Sequence, residues 1–194
     1  MTTDTPTAVR RRFTLVSLVL PAVATVLALA VQLILLPQVP AVVATHWSWG
    51  GTPDGFAPGW TVPLVTVILG GGLPAVIFAI ASGGLRRGDH GSTYRLLGAI
   101  ALGTAVLAGG LGVATLGIHV GQTDAADVTL PALLVPSVLV AAVAAGAVGW
   151  GVQPDAPWRP TPAAAVADVP VRAGERVVWM QAVSLARPGA VVLG

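Results

Sequence analysis

His46 and Asp54 lie eight residues apart in the run Thr45-His46-Trp47-Ser48-Trp49-Gly50-Gly51-Thr52-Pro53-Asp54-Gly55. Gly50-Gly51 and Pro53-Asp54-Gly55 are turn signals, because Gly reaches positive φ freely while Pro and Asp favour turn geometry. A chain that doubles back between them brings the imidazole to the carboxylate. Such a pair could ligate a metal, but two ligands do not close a site, and His119 with Asp124 or Asp127 would have to complete it. It could act as a general base with its orienting carboxylate, yet no serine or cysteine nucleophile is matched to it. It could form a surface that recognises a ligand. The plainer alternative is a compact turn in which both side chains bond backbone groups. His46, Trp47, Asp54 and Gly55 are the candidate ligand- or partner-binding residues. No catalytic residue, metal ligand or cofactor is assigned.

Composition decides which elements must position them. Of 194 residues, 55% are hydrophobic and 9% charged, where a soluble domain has about a quarter charged. The mean hydropathy is +0.84. These values exclude a disordered chain and argue against a soluble enzyme. The net charge of +2 comes from scattered arginines. It gives no basic face that could track phosphates, so no nucleic-acid partner is expected. With no cysteine there is neither disulfide nor thiolate chemistry.

Four apolar stretches, about 13–36, 61–82, 96–118 and 130–152, contain no Asp, Glu, Lys or Arg. Each exceeds the roughly 20 residues that a helix needs to cross a bilayer. A span in lipid must satisfy its own backbone, so the expectation is an all-α membrane protein with a four-helix domain over 1–152. Pro63 and Pro131 suit helix starts, and Ser92, Thr93 and Thr129 suit caps. The first stretch follows Arg10-Arg11-Arg12 and also resembles a signal peptide, with Ala28 and Ala30 as a cleavage-like site. Its length exceeds the 7 to 15 residues or so of a signal h-region and favours a retained helix.

The arginines give the orientation. All ten lie before the first span, between the second and third, or after the fourth. The loops 37–60 and 119–129 have none and carry Asp54, Asp124 and Asp127 instead. Short arginine-rich loops stay in the cytoplasm, so the reading is N-in/C-in, multi-pass, in the cell membrane, with 37–60 and 119–129 outside. Trp47, Trp49, Trp60, Trp150 and Trp158 fit interfacial anchors.

Ala101, Ala105 and Gly109, like Ala141, Ala145 and Gly149, repeat at four-residue spacing. They suit close packing within the bundle or a homo-oligomer interface. Gly70-Gly71-Gly72 with Pro74 predicts a kink or local unwinding of the second span. Residues 153–194 read as a cytoplasmic Pro/Ala linker and a short β-prone tail. Arg176 to Leu185 and Ala190 to Leu193 would form a short hairpin, or open a small β domain or a further membrane segment, as in a piece of a longer protein.

Leu36-Pro37, Val43-Ala44-Thr45-His46-Trp47 and Gly51-Thr52-Pro53-Asp54-Gly55, following a first transmembrane helix, resemble the signature of a bacterial domain-of-unknown-function family. The likeness covers roughly residues 13–82. The same domain forms the N-terminal part of SdpI-type immunity proteins. Ser48 and Thr52 depart from the Asn and Glu that family members often carry there. The resemblance implies a non-enzymatic protein that recognises a secreted peptide or toxin through 37–60. It also implies a cytoplasmic protein partner for the inner arginines, of which Arg86, Arg87 and Arg95 are the candidates. The rival readings are a transporter or channel component, suggested by the glycine-broken second span, and a membrane enzyme with an outer-face His/Asp site.

Overall fold

The computed structural model describes residues 6–87, 89 and 91–154. The chain is mostly helical, with four helices long and apolar enough to span a membrane: α1 (Thr7–Gln38), α2 (Thr61–Arg86), α3 (Ser92–His119) and α4 (Leu134–Val152). Two strands, β1 (Val42–Trp47) and β2 (Pro53–Pro58), stand between α1 and α2. The ends of the helices differ from the expected 13–36, 61–82, 96–118 and 130–152. α1 and α2 continue through their arginines. α3 begins at Ser92, where Tyr94 packs edge-on against Phe13 with ring centroids 6.0 Å apart. α4 begins late because Leu130 N donates to Gly51 O at 2.9 Å, which ties the preceding residues to the hairpin. The second connection is correspondingly longer than 119–129. The all-α expectation is corrected by the hairpin within 37–60. There the β-branched and aromatic residues of Val42-Val43-Ala44-Thr45-His46-Trp47 meet a glycine turn. The expected tail hairpin lies outside the described residues.

α1 and α2 each carry one widened, π-helical stretch, Leu15–Val19 and Val67–Gly72. Each is followed directly by Leu-Pro, at Leu20-Pro21 and Leu73-Pro74. A proline ring collides with the carbonyl four residues back and offers no N–H. In the widened turns Leu20 N donates to Leu15 O and Leu73 N to Ile68 O, which carries the helix past its proline. The unwinding expected at Gly70-Gly71-Gly72 takes this form.

α3 touches the three other helices, because its inward residues are small. Ala101, Ala105, Gly109 and Gly112 are buried. A Cβ on Gly109 would lie 2.7 Å from Ala28 Cβ, and one on Gly103 3.1 Å from Ala142 O. Close backbone approach of this kind holds helices together where lipid removes the hydrophobic drive. On α4 the buried small residues are Ala142 and Gly149, while Ala141 faces outward. Val26, Ile34, Ile80, Val140 and Val143 also face outward. Four polar side chains of the spans also turn inward: Ser17, Thr25, Gln32 and Thr66 are buried. Gln32 Nε2 donates to Thr66 Oγ1 at 3.0 Å. A Cβ on Gly112 would lie 2.5 Å from that nitrogen, so only glycine lets this pair sit against α3.

The end of the bundle away from the hairpin is held by arginines. Arg12 Nη1 donates to Val152 O at 2.8 Å, and Arg95 Nε and Nη2 donate to Trp150 O at 3.3 and 3.2 Å. The last carbonyls of a helix lack partners of their own and attract cations. Arg95 also lies 4.6 Å from the Trp150 ring centroid. Two arginines that the charge pattern assigned to topology or a partner therefore cap α4. Arg86 and Arg87 remain exposed, the latter 3.6 Å from Asp89.

Candidate ligand-recognition site

β1 and β2 pair antiparallel, Val42 with Pro58, Val43 with Ala57 and Ala44 with Phe56, and then the register breaks twice. His46 pairs with Gly55 and Trp47 with Pro53, so Thr45 is extra on one strand and Asp54 on the other. Each such bulge re-aims the side chains that follow it. Together they place His46 Nδ1 2.5 Å from Asp54 Oδ1. Gly55 makes this possible, since a Cβ there would lie 2.9 Å from His46 Cβ. The turn closes with Gly51 N donating to Ser48 O and Ser48 N to Thr52 O, both at 2.9 Å. Gly51 has φ +76, and a Cβ there would press against Leu130 O at 3.2 Å.

The hairpin is fastened to the bundle from one side. Val43 is fully buried and packs with Val62 and Leu116. His119, at the end of α3, is also fully buried. Its Nε2 accepts from Ala44 N at 2.9 Å, so Nδ1 carries the proton and donates to Thr115 O at 2.7 Å. Trp47 Nε1 donates to Val128 O at 2.8 Å, with its ring centroid 6.4 Å from that of His119. Gly121 N donates to Gln38 O at 3.2 Å. These bonds join both connections at this end into one cap.

The other side is open. The His46 and Asp54 side chains are 73% and 47% exposed, and Trp49 at the turn is fully exposed. An open groove of about 470 Å³ runs beside the hairpin, with Pro40, Val42 and Phe56 on one wall and Thr123, Asp124 and Ala126 on the other. Of the four candidate residues, His46 and Asp54 meet as expected. Trp47 turns inward, and Gly55 acts by leaving room. His119 does not join them, because both its nitrogens are spent on backbone, and Asp124 accepts from Ala126 N at 2.9 Å. Among the described residues no three His, Cys, Asp or Glu gather as a metal site. Trp49 is the surface aromatic that the motif did not single out. The glycines at its turn are a signal that could have pointed to it.

Four helices able to span a membrane, with a small cap at one end, make the architecture of a multi-pass membrane protein. Within it, residues 23–70 match the family described as "Domain of unknown function (DUF1648)". That stretch runs from within α1, through the hairpin, into the widened turn of α2. No curated protein and no solved structure matches the chain.

Proposed function

We propose that the protein is a non-enzymatic immunity or signalling protein of the SdpI type in a bacterial cell membrane. Both termini lie in the cytoplasm, and the hairpin over 37–60 recognises a secreted peptide or toxin outside. One observation carries this reading: the hairpin is fixed to the bundle by one face and presents His46, Asp54 and Trp49 on the other. An exposed side-chain contact of this kind adds at most about 1 kcal/mol to folding, so its assembly by two compensating bulges suits a ligand better than stability. An open surface also suits recognition better than catalysis, which draws its electrostatic advantage from water-excluded sites. The orientation rests on the arginine-free hairpin end and the arginine-bearing opposite end.

Affinity capture with crosslinking in membranes of the producing organism tests the reading, with His46→Ala/Asp54→Ala as the control. A partner captured by the natural chain and lost from the double variant supports recognition by the hairpin. Equal capture by both overturns it. For orientation, the absence of cysteine makes any introduced one unique. Ser48→Cys should react with a membrane-impermeant maleimide on intact cells, and Arg87→Cys only after permeabilisation. The reverse pattern overturns the assignment.

A further inference from the structure

The groove beside the hairpin has one apolar wall and one acidic wall. Val42 pairs with Pro58 and Ala44 with Phe56, so Val42 and Phe56 share a face of the hairpin. They are 47% and 48% exposed, although Val43, Ala44, Ala125 and Val128 beside them are buried. With Pro40 they form one wall, and Asp124 and Ala126 stand on the other. A carboxylate on the facing wall excludes lipid tails, and exposed apolar surface rimmed by polar groups is the mark of an interaction site. The charge around the groove has one sign. The two connections at this end, 39–60 and 120–133, contain Asp54, Asp124 and Asp127 and neither arginine nor lysine. The topology rule accounts for the missing arginines, but acidic residues contribute little to it, so the aspartates call for a separate reason. Asp54 bonds His46. Asp124 and Asp127 are exposed across one tight turn, and among the described residues neither forms an ion pair. A carboxylate can accept about four hydrogen bonds, and Asp124 uses one, from Ala126 N.

We propose that the groove takes a cationic, amphipathic peptide segment. A large apolar side chain lies against Val42 and Phe56, and an adjoining arginine or lysine meets Asp124 and Asp127. This rests on the recognition role given to the hairpin above and names the chemistry of its ligand. An acidic segment is rejected, because it would meet two carboxylates and no arginine or lysine. Opposite charge also speeds the encounter, most of all at low salt.

The test is calorimetric titration of the full-length protein, in micelles of an uncharged detergent at low salt, with two capped synthetic peptides. Arg-Leu-Phe-Arg-Leu-Phe and Glu-Leu-Phe-Glu-Leu-Phe differ only in charge. The first should bind about tenfold more tightly or better. Asp124→Asn/Asp127→Asn should level the two, and Asp124→Asn keeps a side-chain oxygen for Ala126 N, so the turn is retained. Ala126→Lys leaves both aspartates in place and should also remove the preference, which keeps the test alive if the double variant misfolds. Phe56→Ala should weaken the cationic peptide. Binding of neither peptide, equal binding of both, or a preference that survives in both charge variants overturns the proposal. Capture in cells separates it from the reading it rests on. A partner lost from His46→Ala/Asp54→Ala but retained by Asp124→Asn/Asp127→Asn keeps the hairpin as a recognition surface and overturns the cationic ligand. Equal capture by the natural chain and both double variants overturns recognition by the hairpin and this assignment with it.

Discussion

His119 and His46 both serve the same hairpin, from opposite sides. His119 is fully buried, and both its ring nitrogens bond main-chain atoms, Ala44 N and Thr115 O. His46 is mostly exposed and bonds a side chain, Asp54, that is itself half exposed. Backbone partners cannot move without unfolding something, so the buried ring is a rivet. A side-chain partner at the surface can exchange for water or for a ligand at little cost. Two residues of one chemical type are thus separated into structure and recognition by what they bond, and each half of that contrast can be attacked separately.

The largest effect is expected at the rivet. His119→Ala strands the buried Ala44 N–H and leaves a cavity beneath β1. The combined cost is about 3–5 kcal/mol, and the fall in Tm should be about 6 °C or more. His119→Gln keeps an acceptor near Ala44 N and should recover part of the loss. If His119→Ala unfolds at the natural temperature, the ring is not what holds the hairpin, and the contrast between the histidines fails.

That rivet was not legible in the sequence, because the bond spans 75 positions and belongs to tertiary structure alone. The four spans were legible because a bilayer demands about 20 apolar residues at a stretch, and few other structures produce that pattern. The meeting of His46 with Asp54 was legible too, since the glycine and proline turn signals force the chain back on itself. Which tryptophan faces inward was not. Strand alternation gives that answer only until a bulge resets it, and here two bulges intervene between Ala44 and Trp47. The widened turn of α2 could be read from three glycines and Pro74, whereas its counterpart before Leu20-Pro21 carries no glycine to mark it.

Gly55→Ala comes next and strikes the exposed half. Its methyl would lie 2.9 Å from His46 Cβ, an atom fixed to the facing strand. The strands must part or the bulges shift, at about 1–3 kcal/mol of overpacking. Separation of His46 from Asp54 should accompany the loss, visible as a change in the His46 ring signals by NMR. If those signals are unchanged, the pair does not depend on the close strand approach. Trp47→Phe is smaller. It removes the bond from Nε1 to Val128 O at 2.8 Å while keeping most of the ring, and should cost about 1 kcal/mol. A cost well above that would show that Trp47 shares the rivet role with His119.

The smallest expected effect bears most on function. In a double-mutant cycle, His46→Ala and Asp54→Ala should each change stability by less than about 1 kcal/mol, with a coupling energy below the same figure. The reason is the solvent around the pair: water competes for both partners, and holding two side chains in one geometry costs rotamer freedom. Thermal unfolding of the four proteins in one detergent gives the coupling directly. A coupling of about 2 kcal/mol or more would place this pair among the structural bonds, beside His119. The hairpin would then present no dispensable polar pair, and the surface left for a ligand would reduce to Trp49 and the groove beside Phe56. A coupling near zero leaves His46 and Asp54 with no structural duty, so that any loss of partner capture in the double variant reports on recognition rather than on a damaged fold.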